Sequence, residues 1–473
     1  MDKIQLTING TEAITENTFE VLNPATEELA AACPQADAKM LEQAIGSANQ
    51  AFPGWSGLTH ADRKARMLLI ADLLEEHMEE LAGILTLESG KPLNGFGGVG
   101  SMFEVGGAIE WCRVTAEIEL PVEVVQDNDD ARVEVHHKPL GVVASITPWN
   151  FPLMIALWHI IPALLTGNTV VVKPSEYTPL ATLKFVELAN TVLPPGVLNS
   201  VAGDGSLGAQ MSSHRDVQKI AFTGSSQTGK KIMQSAAGNL KRLTLELGGN
   251  DAAIVLPDVD ANDVAPKLVG VSLINSGQVC AAAKRLYVHA DIYDEVCAAM
   301  VQVAESTTMG NGMEEVDFGP IQNKAQFDKV CELAEAARRE GGRFLTGGAP
   351  LAGMGYFFPP TLVADLDNGS RLVDEEPFGP IVPIIKYSDV DEVIARANNS
   401  SAGLGGSIWS NDIAKAEELA QRLQCGTVWI NNHAMVQPNA PFGGVKESGM
   451  GVAFGSHGLE EFTSIQTVIR NKA

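Results

Sequence analysis

The segment NSGQVCAAAKRLYV, Asn275 to Val288, places Cys280 after a short Gly277-Gln278-Val279 turn and ahead of three alanines that lead to Lys284 and Arg285. A thiol there has two readings. As a nucleophile it needs a base or a positive field to form thiolate from a group whose ordinary pKa is about 8.5. As a small buried hydrophobe it needs nothing, and most cysteines in folded chains are of that kind. Other residues supply chemistry that favours the first. Glu246 closes a strand-like run in TLELGGND, directly before Leu247 and Gly248-Gly249; a carboxyl in that apolar setting suits a general base, and it equally suits a helix cap. Asn150 follows Trp149 in SITPWNFP at another strand end, where its amide either donates to a developing oxyanion or satisfies the turn.

Two further motifs concern a ligand. In VVVKPSE, Lys173 and Glu176 stand at the carboxyl end of a strand run, which is the ligand end of an open α/β sheet or else an ordinary charged loop. FTGSSQTGKKI puts Gly224, Ser225 and Gly229 at a strand-to-helix turn, fit to receive a phosphate or simply a tight turn needing positive φ. It has neither the G-x-G-x-x-G spacing nor a complete P-loop, because Lys230 and Lys231 follow Gly229; nucleotide triphosphate chemistry loses ground.

These residues need elements to hold them. From Asp37 to Gly90 the apolar residues recur at helical spacing, as in RMLLIADLLEEHMEELAGILTLESG, with charged positions forming the solvent face. After Lys138 the rhythm becomes β-rich runs alternating with helices: GVVASITP, a helix through Ala156, TVVVKP, a helix through Val186, NSVAG, KIAFTG and a helix through Ile232. A second series starts at AAIVLP, Ala252, and continues through RLYVHA, VPIIKY and GTVWIN. Such alternation marks parallel sheets covered on both faces, so the fold class is α/β with two domains meeting near Gly248-Gly249. ARVEVHHKP, Ala131 to Pro139, and the terminal TSIQTVIRN alternate as half-exposed strands able to pair between subunits.

At 473 residues the chain is long enough for two cores and a buried site. Its formal charge of −25 opposes a general nucleic-acid binder or a protein held on anionic lipid. Six scattered cysteines, Cys33, Cys112, Cys280, Cys297, Cys331 and Cys425, form no C-x-x-C pair and read as reduced thiols rather than a disulfide framework or metal site. MDKIQLTING lacks the apolar stretch of a signal peptide, and Phe151 to Leu165 is short for a membrane span and carries Pro152, His159 and Pro162. A cytoplasmic location is the expectation.

The constellation is more specific than its members. PWNFP, KPSE, FTGS, LELGG, GQVC, EEPFGP at Glu375 to Pro380 and PFGG at Pro441 to Gly444 follow one another in an order and approximate spacing that resembles the NAD(P)-dependent aldehyde dehydrogenase superfamily. The resemblance runs from TING and NPATEE near the start to ESGMG near the end. It implies two Rossmann-like α/β domains plus a small β oligomerisation unit: an NAD-binding domain from 1–117 and 140–248, a catalytic domain 249–448, oligomerisation strands 118–139 and 464–473, and a return segment 449–463. A homodimer or homotetramer is implied.

By the same resemblance Cys280 is the nucleophile, Asn150 with the Cys280 N–H the oxyanion hole, and Glu246 the base that activates water against the thioester; Lys173 joins the catalytic set. Relatives that pass the acyl group to coenzyme A lack that glutamate as a rule, so Glu246 favours hydrolysis to a free acid. NAD is the implied cofactor, held by Lys173, Ser175 and Glu176 at the adenosine end, by Trp149, Gly203, Gly224, Ser225, Thr228 and Leu247, and by Glu376 and Phe378 at the nicotinamide end. The Glu176 carboxylate repels the extra phosphate of NADP. Thr228 stands where many relatives carry an aliphatic residue. The substrate tunnel corresponds to Phe151, Ile155, Trp158, Ile274, Val279, Val436 and Phe442, with His433 nearer the mouth.

No Lys, Arg, Asp or Glu falls among those tunnel positions, which favours an apolar, medium-chain aliphatic aldehyde; an arylaldehyde or a semialdehyde is the alternative. Two other classes compete. A thiol esterase would use Cys280, Asn150 and Glu246 without the nucleotide contacts, and a silent structural protein would have no need to keep all three together. The other five thiols keep the structural reading.

Overall fold

The computed structural model describes residues 4–472; residues 1–3 and 473, the outer ends of the expected first and last segments, lie outside the described residues. Helices fill the stretch marked by helical spacing: Ala38–Ser56, His60–Glu76 and Met78–Ser89, followed by Ser101–Ala116. Their starts are set locally. Asp37 accepts the N–H of Met40, and Thr59 with Asp62 forms a reciprocal capping box, which satisfies N–H groups the helix itself leaves free.

The first alternating series builds a six-stranded sheet in the order Gly449–Met450, Arg242–Glu246, Val217–Thr223, Val142–Ile146, Thr169–Lys173, Leu198–Ser200. Neighbours are parallel except the short first strand, which runs antiparallel and sets Gly449 opposite Glu246. The second series forms a seven-stranded sheet: Arg343–Phe344, Thr361–Ala364, Ile381–Tyr387, Ala283–His289, Asp251–Val255, Gly405–Trp409, Thr427–Ile430. Alternate residues of Asp251–Val255 serve opposite faces: Ala252 and Ile254 join one apolar cluster, Ala253 and Val255 another. A sheet covered on both sides explains why its strands read as unbroken apolar runs. The α/β expectation therefore holds. Thr361–Ala364, Arg343–Phe344 and the antiparallel pairs Leu6–Ile8 with Thr11–Ala13 and Thr18–Leu22 with Leu29–Pro34 are additions to it.

The two half-exposed strands find each other within the chain. Thr463–Asn471 pairs antiparallel with Ala131–Pro139 along its whole length, and Glu123–Asp127 completes a three-stranded sheet. Ile465, Val468 and Ile469 on one outer strand and Val124 and Val125 on the other stay exposed.

The helix Pro152–Leu165 matters most for the site, because it begins at Asn150-Phe151. Pro152 opens it, where a missing N–H costs nothing. The next free N–H groups, of Leu153 and Met154, are taken by Glu104 Oε1 at 2.9 and 3.2 Å. Glu104 is fully buried and paired with Lys91, whose ammonium lies 3.8 Å over the Phe151 ring. Glu88 treats Leu180–Ala189 in the same way, accepting from Leu180 and Ala181 at 2.6 and 3.0 Å. Among the described residues no helix is long and apolar enough to cross a membrane.

Candidate active site

Four strand ends of the six-stranded sheet deliver the expected residues. Val142–Ile146 leads into Trp149-Asn150, Thr169–Lys173 into Ser175-Glu176, Val217–Thr223 into Gly224-Ser225, and Arg242–Glu246 ends on Glu246 itself. Cys280 comes from the other side, just before strand Ala283–His289. Its approach is strained: Asn275, Ser276 and Gly277 take φ of 52°, 53° and 71° in succession. Non-glycine residues held there cost roughly 1–3 kcal/mol each, and specific bonds hold them. Ser276 Oγ donates to Gly319 O at 2.7 Å, Gln278 Nε2 to Asn275 O at 2.9 Å, and Asn275 Nδ2 to Asn150 O at 3.1 Å. At Gly277 a Cβ would sit 2.2 Å from Gly379 O, so the Cys280 turn is locked against the EEPFGP segment.

Two cavities flank this turn. The first, of about 490 Å³, is lined by Trp149, Lys173, Ser175, Glu176, Gly224, Ser225, Thr228, Leu247, Glu376 and Phe378. Gly203 is displaced from it, because it packs on Leu207 and Ala36 O, and Gly205 and Gly208 line the wall in its place. Gly224 and Gly229 are not in the left-handed region, so a positive-φ turn is not their reason. Space is: a Cβ would stand 2.5 Å from the Phe222 ring at the one and 2.7 Å from Leu247 at the other. Ser225 Oγ caps helix Ser226–Ala236, accepting from Thr228 N at 3.2 Å. Lys173, buried, points its ammonium at Pro174 O, 3.2 Å, and Glu176, 4.0 Å, which groups it with the cavity's charged end. Burial draws its pKa down. Phe378 meets Trp149 edge-on at 5.2 Å.

The second cavity, of about 780 Å³, is lined by Phe151, Ile155, Trp158, Ile274, Val279, Val436 and Phe442. Phe96, Phe103, Trp111, Met154 and Trp409 widen this apolar wall beyond the tunnel positions the motifs implied. Two corrections follow. Glu110 and Lys267 also line it, so the tunnel is not free of charge; both are exposed, at its solvent end. His433 lines this cavity but is buried in its wall rather than open to solvent: it is 3% exposed, with Nδ1 2.8 Å from Ser407 Oγ and Nε2 3.4 Å from Asp251.

Cys280 and Asn150 are the two residues that line both cavities. Asn150 Nδ2 donates to Gln278 O at 2.9 Å, which uses one of its two N–H groups and leaves the second. Desolvation pushes the Cys280 thiol up to about 12; Lys284 opposes this, while Glu246, Glu376 and Asp251 add to it. Glu246 lies outside both linings. It is buried, neither carboxyl oxygen has a hydrogen-bond partner, and desolvation, helped by Glu461, raises its pKa well above the carboxylate range.

The arrangement joins a cavity lined in part by charged groups to an apolar one at Cys280 and Asn150, which line both. The aldehyde dehydrogenase family model matches residues 11–468. The chain belongs to the aldehyde dehydrogenase family. It is 38% identical over 486 residues to the phenylacetaldehyde dehydrogenase of Pseudomonas fluorescens, covering 98% of this chain and 95% of that one. With aldehyde dehydrogenase 1A1 of Oryctolagus cuniculus it shares 38% over 467 residues, 97% and 93% of the two chains. The NAD+ complex of the aldehyde dehydrogenase from Bacillus cereus matches with a TM-score of 0.96 at 38% identity, over 99% and 97%. As an aldehyde dehydrogenase the protein oxidises an aldehyde. Sequence motifs missed Lys284 and Lys329, whose ammonium groups hold Glu376 Oε1 and O at 2.7 Å each; Lys284 stood in the Cys280 segment as an unread positive charge.

Proposed function

We propose that the protein catalyses NAD-dependent oxidation of apolar, medium-chain aliphatic aldehydes to free carboxylic acids. The observation that carries this is that Cys280 and Asn150 are, among the described residues, the two shared by both cavities: a carbonyl carbon in the apolar cavity can meet the sulfur while its oxygen faces an amide donor. The polar cavity suits NAD. A helix N-terminus capped by Ser225 faces a diphosphate favourably, Glu176 offers an acceptor to ribose hydroxyls and repels a phosphate there, and the bare Cα of Gly248 leaves room where a Cβ would stand 2.4 Å from Glu376 Oε2.

The chain's own groups divide the reaction. Cys280 gives up its proton to solvent, its sulfur adds as thiolate to the aldehyde carbon, and the Cys280 N–H with the second N–H of Asn150 stabilises the alkoxide of the thiohemiacetal. NAD, when bound, supplies the acceptor for the hydride lost as that alkoxide collapses to a thioester. Glu246, once it has lost its proton, then takes one from water attacking the thioester carbon, and Cys280 leaves as thiolate. Its carboxyl makes no hydrogen bonds that a rotation would break. The protein domains follow the sheets: cofactor binding on the six-stranded sheet, the nucleophile on the seven-stranded one, and self-association through the exposed strands of the three-stranded unit into a dimer or tetramer.

Arylaldehydes are the second reading, favoured by the aromatic cluster of Trp111, Trp158, Phe442 and Phe454, with ring centroids 4.7–6.1 Å apart. The test is NADH formation by the purified protein with hexanal, octanal, benzaldehyde, succinic semialdehyde and betaine aldehyde, beside Cys280→Ala, with the product identified as free acid. Turnover on the apolar aldehydes that disappears in Cys280→Ala supports the proposal. Turnover that survives, or that requires coenzyme A, overturns it.

A further inference from the structure

Lys284 takes no part in the chemistry above, yet its ammonium is the most constrained group beside the nucleophile. It is buried, 3% exposed, and donates to Cys280 O at 2.5 Å, Gly249 O at 2.8 Å and Glu376 Oε1 at 2.7 Å. An ammonium has three N–H donors, so all three are spent. Each acceptor belongs to a different part of the site: the backbone of the nucleophile, the turn after Glu246, and the carboxylate lining the polar cavity. Glu376 Oε1 also accepts from Gly249 N at 3.1 Å, so Lys284 and Gly249 together fix the carboxylate, while Lys329 holds the backbone carbonyl of Glu376 at 2.7 Å.

We propose that Lys284 is a positioning residue that couples the cofactor cavity to the nucleophile, holding the Glu376 carboxylate for the cofactor and balancing the negative charge around Cys280 with one ammonium. The proposal rests on the reading of Cys280 as nucleophile and Glu376 as cofactor contact. The charged groups that bear on the thiol are Lys284 on one side and Glu246, Glu376 and Asp251 on the other, and only Lys284 favours thiolate. Without it, the Glu376 charge is uncompensated in a site already crowded with carboxyls, and Glu376 keeps only the Gly249 N–H to set its rotamer. A neutral spacer of similar size would keep the packing and lose both effects.

The test measures two quantities on the full chain: the rate of Cys280 alkylation by iodoacetamide from pH 6 to 10, followed by peptide mass spectrometry, and the Kd for NAD by calorimetry. Lys284→Met is expected to slow alkylation at pH 8 about tenfold, the equivalent of one unit of thiol pKa, and to weaken NAD binding. Glu376→Gln is expected to speed alkylation while also weakening NAD. Opposite effects on the thiol with like effects on NAD support the coupling; a purely structural role would move the thiol the same way in both. Alkylation and Kd within twofold of wild type in Lys284→Met overturn the proposal alone. Should that variant fail to fold, Lys284→Gln, which keeps a donor and loses the charge, is judged by the same criteria. Wild-type protein that binds no NAD, or label unchanged in amount in Cys280→Ala, overturns the reading of the site and this proposal with it.

Discussion

The two cavities are built by different means. The polar one stands at the carboxyl ends of parallel strands, so its Lys173, Glu176 and Ser225 are fixed by sheet register to positions a few residues apart in motif. The apolar one is walled by helices Ser101–Ala116, Pro152–Leu165 and Ala261–Leu273 and by the loop from Asn431 to Phe442. One wall recognises by placed charge and dipole, the other by shape and exclusion of water. The lesson is that the first cavity is intolerant of single changes in chemistry, and the second is tolerant in residue type but sensitive to volume.

The junction should show the largest effect. Asn150→Ala is expected to lower kcat/KM by about 10²–10³, the usual cost of one oxyanion donor, for every aldehyde and for NAD and NADP alike, because Asn150 belongs to both cavities. A loss confined to long aldehydes would place Asn150 in the apolar wall only. Next comes the polar cavity by itself: Glu176→Gln should move the NADP to NAD ratio of kcat/KM upward by about tenfold, since like charges set against each other discriminate strongly, and leave KM for octanal unchanged. An altered octanal KM would mean that the two cavities are not separable.

The smallest effect concerns stability. Burial raises the Glu246 pKa well above 4.5, so over the range between the unfolded and folded values the folded chain holds a proton that the unfolded chain releases. That contribution is whole below about 4.5 and is lost as pH rises through the folded value. Glu246→Gln, which cannot ionise, should therefore gain more in Tm at pH 9 than at pH 5, by about 1–2 °C. Equal gains at both pH values would contradict the burial of an ionisable carboxyl there.

Legibility in the sequence follows the same contrast. Cys280, Asn150 and the strand-end residues could be read because register confines them to short motifs, and Gly203 failed by only two residues, as Gly205 took the wall. Lys284 could not be assigned a role, because its partner Glu376 lies 92 residues away and nothing local announces the contact. Trp111 reaches the second cavity from a buried helix face, and Glu110 and Lys267 from exposed positions on their helices; helical periodicity separates buried from exposed positions but does not tell which of them enclose a cavity. His433 was set nearer the mouth by the resemblance alone; contacts with Ser407 and Asp251, distant in sequence, bury it in the cavity wall. Both half-exposed strands, Ala131–Pro139 and the terminal one, were legible as strands, while their pairing with each other within the chain was fixed only by the fold.

The central claim is that an apolar cavity selects the aldehyde delivered to Cys280. Its most direct test is kcat/KM with saturating NAD for the straight-chain series from propanal to octanal, with succinic semialdehyde alongside. Each added methylene buried contributes about 0.8 kcal/mol, or roughly fourfold, so kcat/KM should climb along the series and leave succinic semialdehyde far behind. A flat or falling series, or a preference for the semialdehyde, would contradict it.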